Sequence, residues 1–189
     1  MTIPIRKPAE SSDEQLLASI RSGDHAAYQQ LFHRYYGQLC SFALHCVGSD
    51  DVAEDIVQEV FLYVWRHREA LAIRETARTY LFSATRNAAT SHLRHHRVVE
   101  RTKPEVVAQF DRAPITPDRI VAYAEATESL TRAISRLPER CRLVFTLQRE
   151  QAMTYAEVAQ TLGISVKTVD VQMGRALKAL RRMLGPNWP

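Results

Sequence analysis

Cationic side chains alternate with aromatic and amide side chains in one part of this sequence. Tyr80, Phe82 and Asn87 lie there, and the cations around them are Arg74, Arg78, Arg86, Arg94, Arg97, Arg101 and Lys103. Cations hold a phosphate backbone, a flat ring stacks on a base, and an amide can hydrogen-bond a base edge, so this set suits single-stranded or melted DNA. The alternative to DNA binding is that an aromatic side chain is buried in the core while the arginines are exposed to solvent. At least one of the two rings, Tyr80 or Phe82, must be buried in this way.

A pair of helices with a tight corner is predicted near the end of the chain. Thr154 and Glu157 have the spacing of a capping box, Gly163 suits the left-handed residue that ends a helix, and Ser165 can cap the next helix. The second helix keeps its apolar residues on one stripe and turns a basic face outward. That face comprises Lys167, Thr168, Val171, Gly174, Arg175, Lys178 and Arg182. A helix-turn-helix places such a face in the major groove, whereas an ordinary helical hairpin would leave it solvated.

An acidic face with one apolar member is predicted further upstream. Asp55, Gln58, Glu59 and Leu62 follow the i, i+3, i+4, i+7 spacing, opposite a stripe of apolar residues. This face suits the docking of another protein. A solvated outer helix face is the alternative interpretation.

The elements that must position these residues are all helical. Apolar residues recur with helical periodicity, and no run alternates apolar and polar residues over the length of a strand, which predicts an all-α fold. The predicted helices are Asp13 to Arg21, Asp24 to Gly48, Asp50 to His67, Glu75 to His96, Tyr123 to Leu137, Pro138 to Arg149, Thr154 to Leu162 and Ser165 to Leu184. Prolines interrupt residues 98–122, which we interpret as a flexible linker between two small helical domains at 13–97 and 123–185. Residues 1–12 and 186–189 are polar tails.

Composition limits the class of protein. The chain has 189 residues, 46% of them hydrophobic, and a formal net charge of +4, which indicates a globular protein with a polyanionic partner. The sequence contains neither a secretory signal nor an apolar run of membrane-spanning length, so we expect a cytoplasmic protein without membrane insertion. Its three cysteines are interpreted as small apolar residues in a reducing compartment.

Three motifs in order carry a resemblance to a known family. The motifs run from Ala53 to Trp65, from Tyr80 to Arg94, and from Leu137 to Leu177. In this order and spacing the chain resembles an extracytoplasmic-function (ECF) sigma factor of the sigma-70 family, from Asp13 to Leu184. The C-terminal half is most similar to the iron-citrate type of these factors.

The resemblance implies a function for each face. It implies that 13–97 is sigma region 2 and 123–185 is sigma region 4 of an alternative sigma factor that directs core RNA polymerase to −35 and −10 promoter elements. The implied docking set for the clamp helices of the largest catalytic subunit is Asp55, Gln58, Glu59 and Leu62, with Trp65 beneath as core. The implied −10 set for DNA recognition and melting is Tyr80, Arg86, Asn87, Ser91 and Arg94, and the implied −35 set is Lys167, Thr168, Asp170, Val171, Arg175 and Lys178.

Further partners are also implied by the resemblance. They are the flap of the second large polymerase subunit, promoter DNA and an anti-sigma factor, which is membrane-bound in many family members. Two departures from the family pattern leave the promoter sequence open: Ser91 stands where most members have an acid, and Asp170 where many have a basic residue.

Two other classes of function remain as alternatives. A helix-turn-helix regulator with a helical sensor domain would share the C-terminal half but would give no role to the acidic face. A metal-dependent enzyme could use His92, His95 and His96, although no carboxylate or thiol nearby completes the set. The chain lacks a Walker loop, a Rossmann glycine pattern and a His-Glu-x-x-His motif, so we expect neither enzymatic activity nor a cofactor.

Overall fold

The computed structural model of the protein describes residues 11–71, 73, 75–100 and 129–185, and the regular elements in those ranges are helices. The first four are α1 (Asp13–Arg21), α2 (His25–Val47), α3 (Asp50–Arg66) and α4 (Ala77–Glu100). Helix α5 denotes the helical residues 129–135, and it is followed by α6 (Glu139–Phe145), α7 (Tyr155–Leu162) and α8 (Val166–Leu184). The prediction of an all-α fold is confirmed. From residue 101 onward, the predicted linker lies outside the described residues.

Helices α1 to α4 form an N-terminal bundle around α2, which packs against the other three. Local sequence signals set the helix ends. The Asp24 side chain accepts hydrogen bonds from the backbone N–H groups of Ala26 and Ala27, which caps α2 as predicted. Gly48 ends the same helix at a φ of 80°, which is left-handed backbone that favours glycine.

Helices α5 to α8 form a C-terminal bundle in which α8 packs against α6 and α7. The capping box at the start of α7 is present, since Glu157 N–H donates to the Thr154 hydroxyl and Thr154 N–H donates to the Glu157 carboxylate. These bonds from Thr154 lower the pKa of Glu157. Gly163 has a φ of 61°, and Ser165 accepts from Thr168 N–H at 3.1 Å, so the predicted helix-turn-helix corner is confirmed.

The helix predicted from Pro138 to Arg149 does not continue as a regular α-helix. It changes after Phe145 into a wider π-helical turn, Thr146–Glu150, closed by a bond from Gln151 N–H to the Thr146 carbonyl. Five consecutive residues across this junction, Leu143 to Leu147, are buried, which regular helical periodicity does not predict.

Helix α4 begins and ends later than predicted. The Thr76 hydroxyl accepts a hydrogen bond from Thr79 N–H at 3.2 Å, which fixes the start of the helix at Ala77 and leaves Glu75 in the preceding loop. At its other end α4 continues to Glu100, beyond the predicted end at His96.

Four apolar residues on the inward sides of their helices are half-buried and not fully buried: Cys46, Val52, Trp65 and Leu177. Of these, Trp65 was expected to lie in the core beneath the docking set, and it lies at the C-terminal end of α3. Trp65 packs on Tyr28 with ring centroids 5.0 Å apart, and the Arg68 guanidinium lies 4.8 Å from the Trp65 ring centroid.

The two bundles lie against each other. Helix α4 packs on α7, and α2 packs on α6 and the π-helical turn. Buried hydrophobic residues of both bundles form one continuous cluster, and only Ile56, Ala77 and Ala89 among those described lie outside it. The predicted DNA-binding helix of the N-terminal bundle is therefore partly covered by the C-terminal bundle.

Candidate nucleic-acid and protein interfaces

The predicted docking set forms one exposed face of α3. Asp55, Gln58, Glu59 and Leu62 are all exposed, and Leu62 keeps 45% of its surface accessible. They lie opposite the residues that α3 buries, which are Ala53, Ile56, Val57, Val60, Phe61 and Val64. Here an apolar side chain beside carboxylates is presented to solvent, which is the composition that a protein partner can bury.

Tyr63 extends this face, although helical spacing did not predict it as a member. Its side chain is 52% exposed and stacks on His67 with ring centroids 4.1 Å apart. The available signal was a large aromatic residue immediately after Leu62 and outside the buried stripe. Leu62 and Tyr63 together make the apolar part of the exposed surface of α3.

Helix α4 brings four of the five predicted −10 residues onto one stripe. Tyr80, Asn87, Ser91 and Arg94 are spaced by seven, four and three residues, so they share a helical face. Asn87, Ser91 and Arg94 are exposed, and Tyr80 is half-buried. Arg86 is turned away from this stripe, because its Nη1 atom donates to the carbonyl of Thr161 in α7 at 3.4 Å.

The two aromatic residues of α4 have different environments. Phe82 is fully buried and packs against Phe42 with ring centroids 5.4 Å apart. Tyr80 is half-buried, and burial raises the pKa of its hydroxyl. The alternative of a buried ring therefore applies to Phe82, and Tyr80 remains accessible for stacking.

Helix α8 presents the predicted −35 residues on its outer face. Lys167, Asp170, Val171, Arg175 and Lys178 are exposed, and Val171 keeps 43% of its surface accessible. The opposite side of the helix buries Val169, Met173, Ala176 and Leu180. Thr168 is half-buried, and its hydroxyl lies 2.8 Å from the Ser165 hydroxyl that caps the helix. Thr168 therefore contributes to the helix cap as well as to the face.

Comparison with known proteins matches the two bundles to two parts of one family. The model described as Sigma-70 region 2 matches residues 31–98, and that described as Sigma-70, region 4 matches residues 127–180. The chain is similar to the ECF RNA polymerase sigma factor SigM of Mycobacterium tuberculosis, with 30% identity over 93% of this chain and 86% of the relative. The chain belongs to the ECF sigma factors of the sigma-70 family.

Other relatives agree with this assignment. The ECF RNA polymerase sigma-E factor of Escherichia coli strain K12 is 26% identical over 93% of this sigma factor and 95% of the relative. The fold is similar to that of CnrH, solved in complex with the cytosolic domain of CnrY, with a TM-score of 0.69 at 24% identity over 94% of this chain and 100% of that one. It is also similar to the sigma factor RpoE solved with the anti-sigma factor NepR from Bartonella quintana, with a TM-score of 0.66 at 20% identity over 83% and 96% of the two chains.

The family assignment decides between the classes of function. The chain is an alternative RNA polymerase sigma factor, and sigma factors are not enzymes. The interpretation as a regulator with a sensor domain is not favoured, because the N-terminal bundle is accounted for as region 2.

Metal-site clusters and membrane-spanning helices are both absent from the residues that the structure describes. Within them, no three His, Cys, Asp or Glu side chains come together as a possible metal site. None of the helices in the described ranges combines the length and the apolar character that crossing a bilayer requires.

Proposed function

We propose that this sigma factor binds core polymerase through α3, recognises the −10 element through α4 and reads the −35 element through α8. The docking residues are Asp55, Gln58, Glu59 and Leu62, the −10 residues are Tyr80, Arg86, Asn87, Ser91 and Arg94, and the −35 residues are Lys167, Thr168, Asp170, Val171, Arg175 and Lys178. The observation that carries this proposal is the stripe on α4, where a stacking ring, an amide, a hydroxyl and a cation share one face.

Each face has chemistry that suits its proposed role. On α8, Val171 could contact a thymine methyl group and Asp170 could accept a hydrogen bond from a cytosine amine, while Arg175 and Lys178 bind phosphates. On α4, trapping unstacked bases offsets the few kcal/mol that unstacking costs. Because both bundles are tethered to one polymerase, the second DNA contact is effectively intramolecular, and promoters with both elements correctly spaced are bound best.

The proposal includes domain boundaries, partners and location. Region 2 spans 13–97 and region 4 spans 123–185, joined by the linker at 98–122. The partners are the clamp helices of the largest polymerase subunit, the flap of the second, promoter DNA and an anti-sigma factor. Support for the last comes from RpoE, a protein of similar fold that was solved with an anti-sigma factor. We place the protein in the cytoplasm, where polymerase and DNA are.

In vitro transcription tests the proposed function as a whole. Core polymerase is combined with fragmented genomic DNA of the source organism, with and without the purified protein. We expect discrete transcripts that require the protein and share two upstream elements at a fixed spacing. Binding to duplex DNA without initiation would contradict the proposal and would favour a conventional regulator.

Replacing Arg175 by alanine should weaken −35 binding uniformly across sequences. Loss of one phosphate contact should lower affinity roughly fivefold to tenfold for every −35 duplex and reduce the salt slope by about 1. Fluorescence anisotropy over a series of duplexes and salt concentrations measures both quantities. Arg66→Ala, at an exposed arginine of α3, makes the same charge change as a matched control. A changed base preference in Arg175→Ala would instead mean that Arg175 contacts a base.

Replacing Gly174 by alanine should change the stability of the protein and its affinity for −35 DNA in opposite directions. Gly174 in α8 and Gly37 in α2 both have open space where a Cβ would stand, so alanine at either position should stabilise its helix by up to about 1 kcal/mol. If the backbone at Gly174 approaches DNA closely, Gly174→Ala also weakens −35 binding severalfold, whereas Gly37→Ala does not. Thermal unfolding and anisotropy measure the two effects, and equal −35 affinities would exclude a close backbone approach at Gly174.

A further inference from the structure

A groove with cationic walls lies between α5 and the last turn of α8. Its first side is one helical face, since positions 129, 132, 133 and 136 follow the i, i+3, i+4, i+7 spacing along α5 and the turn after it. Its second side is the C-terminal end of α8, where Met183 keeps 40% of its surface exposed. The residues that line this α5–α8 groove are Ser129, Arg132, Ala133, Arg136, Met183 and Leu184. None of them belongs to the docking, −10 or −35 set.

The lining of the groove suits a flat aromatic side chain. Arg132 and Arg136 carry guanidinium groups, which are attracted to the face of an aromatic ring, most strongly to that of tryptophan. The thioether of Met183 makes favourable contacts with ring edges, and Ala133 and Leu184 add apolar surface. The volume of the groove is about 170 Å³, which is comparable with an engineered cavity of about 150 Å³ in another protein that holds benzene. A tryptophan ring therefore matches the groove in its electrostatics and in the size of its six-membered ring.

The chain carries a tryptophan close to the rim of the groove. Leu184 lines the groove and Gly185 follows it with a φ of 96° and a ψ of 169°, a backbone conformation that is essentially restricted to glycine. The chain therefore turns away from the axis of α8 at the rim. Trp188 comes three residues later, so even an extended segment brings it no further than roughly 10 Å from Gly185. Residues 186–189, interpreted from the sequence as a polar tail, lie outside the described residues.

A tethered ring has an advantage over a separate molecule in filling this groove. A short linker gives the tethered group an effective concentration in the millimolar range, which a free partner must exceed in order to displace it. Pro186 and Pro189 flank the segment and restrict its conformations, so less conformational entropy is lost when it docks. These two effects favour Trp188 itself as the occupant over a second copy or another protein.

We propose that Trp188 occupies the α5–α8 groove of its own chain and ties α5 to the end of α8. The indole ring packs on Ala133 and Leu184, and a guanidinium group from α5 or the following turn lies over its face. The tie closes the C-terminal bundle at α5, which is the first described helix of that bundle. It requires neither DNA nor polymerase, so it goes beyond the function proposed above.

Fluorescence of Trp188 tests whether the ring is docked. The chain has two tryptophans, Trp65 and Trp188, so the variant Trp65→Phe retains Trp188 as its one tryptophan. In that background we expect Trp188 to emit at a shorter wavelength than indole in water and to be quenched by acrylamide severalfold more slowly. The emission should not change on dilution, because the contact lies within one chain.

Substitutions in the groove should release the ring. Arg136→Glu with Met183→Glu removes a cation and a thioether and places two carboxylates beside the negative face of the ring, so the emission should shift to that of exposed indole. Both positions are exposed, so this groove variant should fold. Arg140→Glu with Val166→Glu makes the same charge change at exposed positions of α6 and α8 outside the groove. It is the matched control, in which Trp188 should stay shielded.

Thermal unfolding tests whether the contact ties the bundle together. Trp188→Ala should lower the midpoint of unfolding by several degrees, and Trp188→Phe, which keeps an aromatic ring, should recover part of the loss. In the groove variant, Trp188→Ala should have almost no further effect, because two changes that remove the same contact are not additive. In the control variant the full loss should remain. The affinity of Trp188→Ala for −35 duplexes, measured by fluorescence anisotropy, should equal that of wild type.

The results that would overturn the proposal differ from one another. Emission of exposed indole in the Trp65→Phe background would mean that the ring is not docked. Shielding that persists in the groove variant would mean that the ring packs elsewhere. Shielding that is lost on dilution would mean that the ring enters the groove of a second copy. Weaker −35 binding by Trp188→Ala without a loss of stability would make Trp188 a DNA contact instead.

Discussion

Replacing Gln58 by alanine together with Glu59 by arginine should abolish binding to core polymerase. The two residues lie in the middle of the exposed face of α3, between Asp55 and Leu62. Hot-spot residues, which cluster near the centre of an interface, contribute about 2 kcal/mol or more each, so the loss of two such residues should weaken binding at least about 100-fold. Co-purification with core polymerase and a quantitative binding curve measure the loss.

This double variant should fold normally, because both side chains are exposed and substitutions at such positions change stability by about 0.5 kcal/mol or less. The double variant Gln30→Ala with Glu14→Arg makes the same chemical changes at exposed positions of α2 and α1, and it should bind polymerase as wild type does. Unchanged co-purification of the α3 variant would exclude this face as the docking surface. A loss in both variants would point to a general effect of charge.

Replacing Tyr80 by leucine should reduce capture of the −10 strand about tenfold or more while the protein stays folded. Stacking of a base on an aromatic side chain contributes about 1–3 kcal/mol, and leucine keeps the apolar packing of a half-buried position but removes the flat ring. Binding of single-stranded −10 DNA and open-complex formation measure the loss. Tyr28→Leu, at another half-buried tyrosine in α2, is the matched control and should leave strand binding unchanged.

Replacing the nearby ring of Phe82 should instead affect the stability of the protein. Phe82 is fully buried against Phe42, so Phe82→Ala should lower the free energy of unfolding by about 3–5 kcal/mol. Thermal unfolding should therefore distinguish Phe82→Ala from Tyr80→Leu. If Tyr80→Leu also unfolds the protein while strand binding by the folded fraction is normal, Tyr80 is a core residue and not a DNA contact.

Features that depend on neighbours within about four residues were determined by the sequence alone. The caps at Asp24, Thr154 and Ser165 join groups two or three residues apart, and the left-handed ends at Gly48 and Gly163 follow from the backbone freedom of glycine. Helical periodicity likewise predicted the exposed face of α3 and the outer face of α8, since one stripe of each helix must be buried. The order of motifs indicated the family, which the comparisons confirmed.

Only the tertiary structure decided which of the aromatic and arginine side chains are exposed to solvent and which are held in contacts with other helices. Helical spacing could not tell that Phe82 is in the core, because its burial depends on Phe42 in another helix. It could not predict that Arg86 turns toward Thr161, 75 residues away, or that Arg142 caps a carbonyl 97 residues away in α2. The π-helical turn after Phe145 and the left-handed Ala152 also carry no local signal. These features arise where the two bundles meet. Packing between residues far apart in sequence overrides local conformational preference there, so a short stretch of sequence cannot predict them.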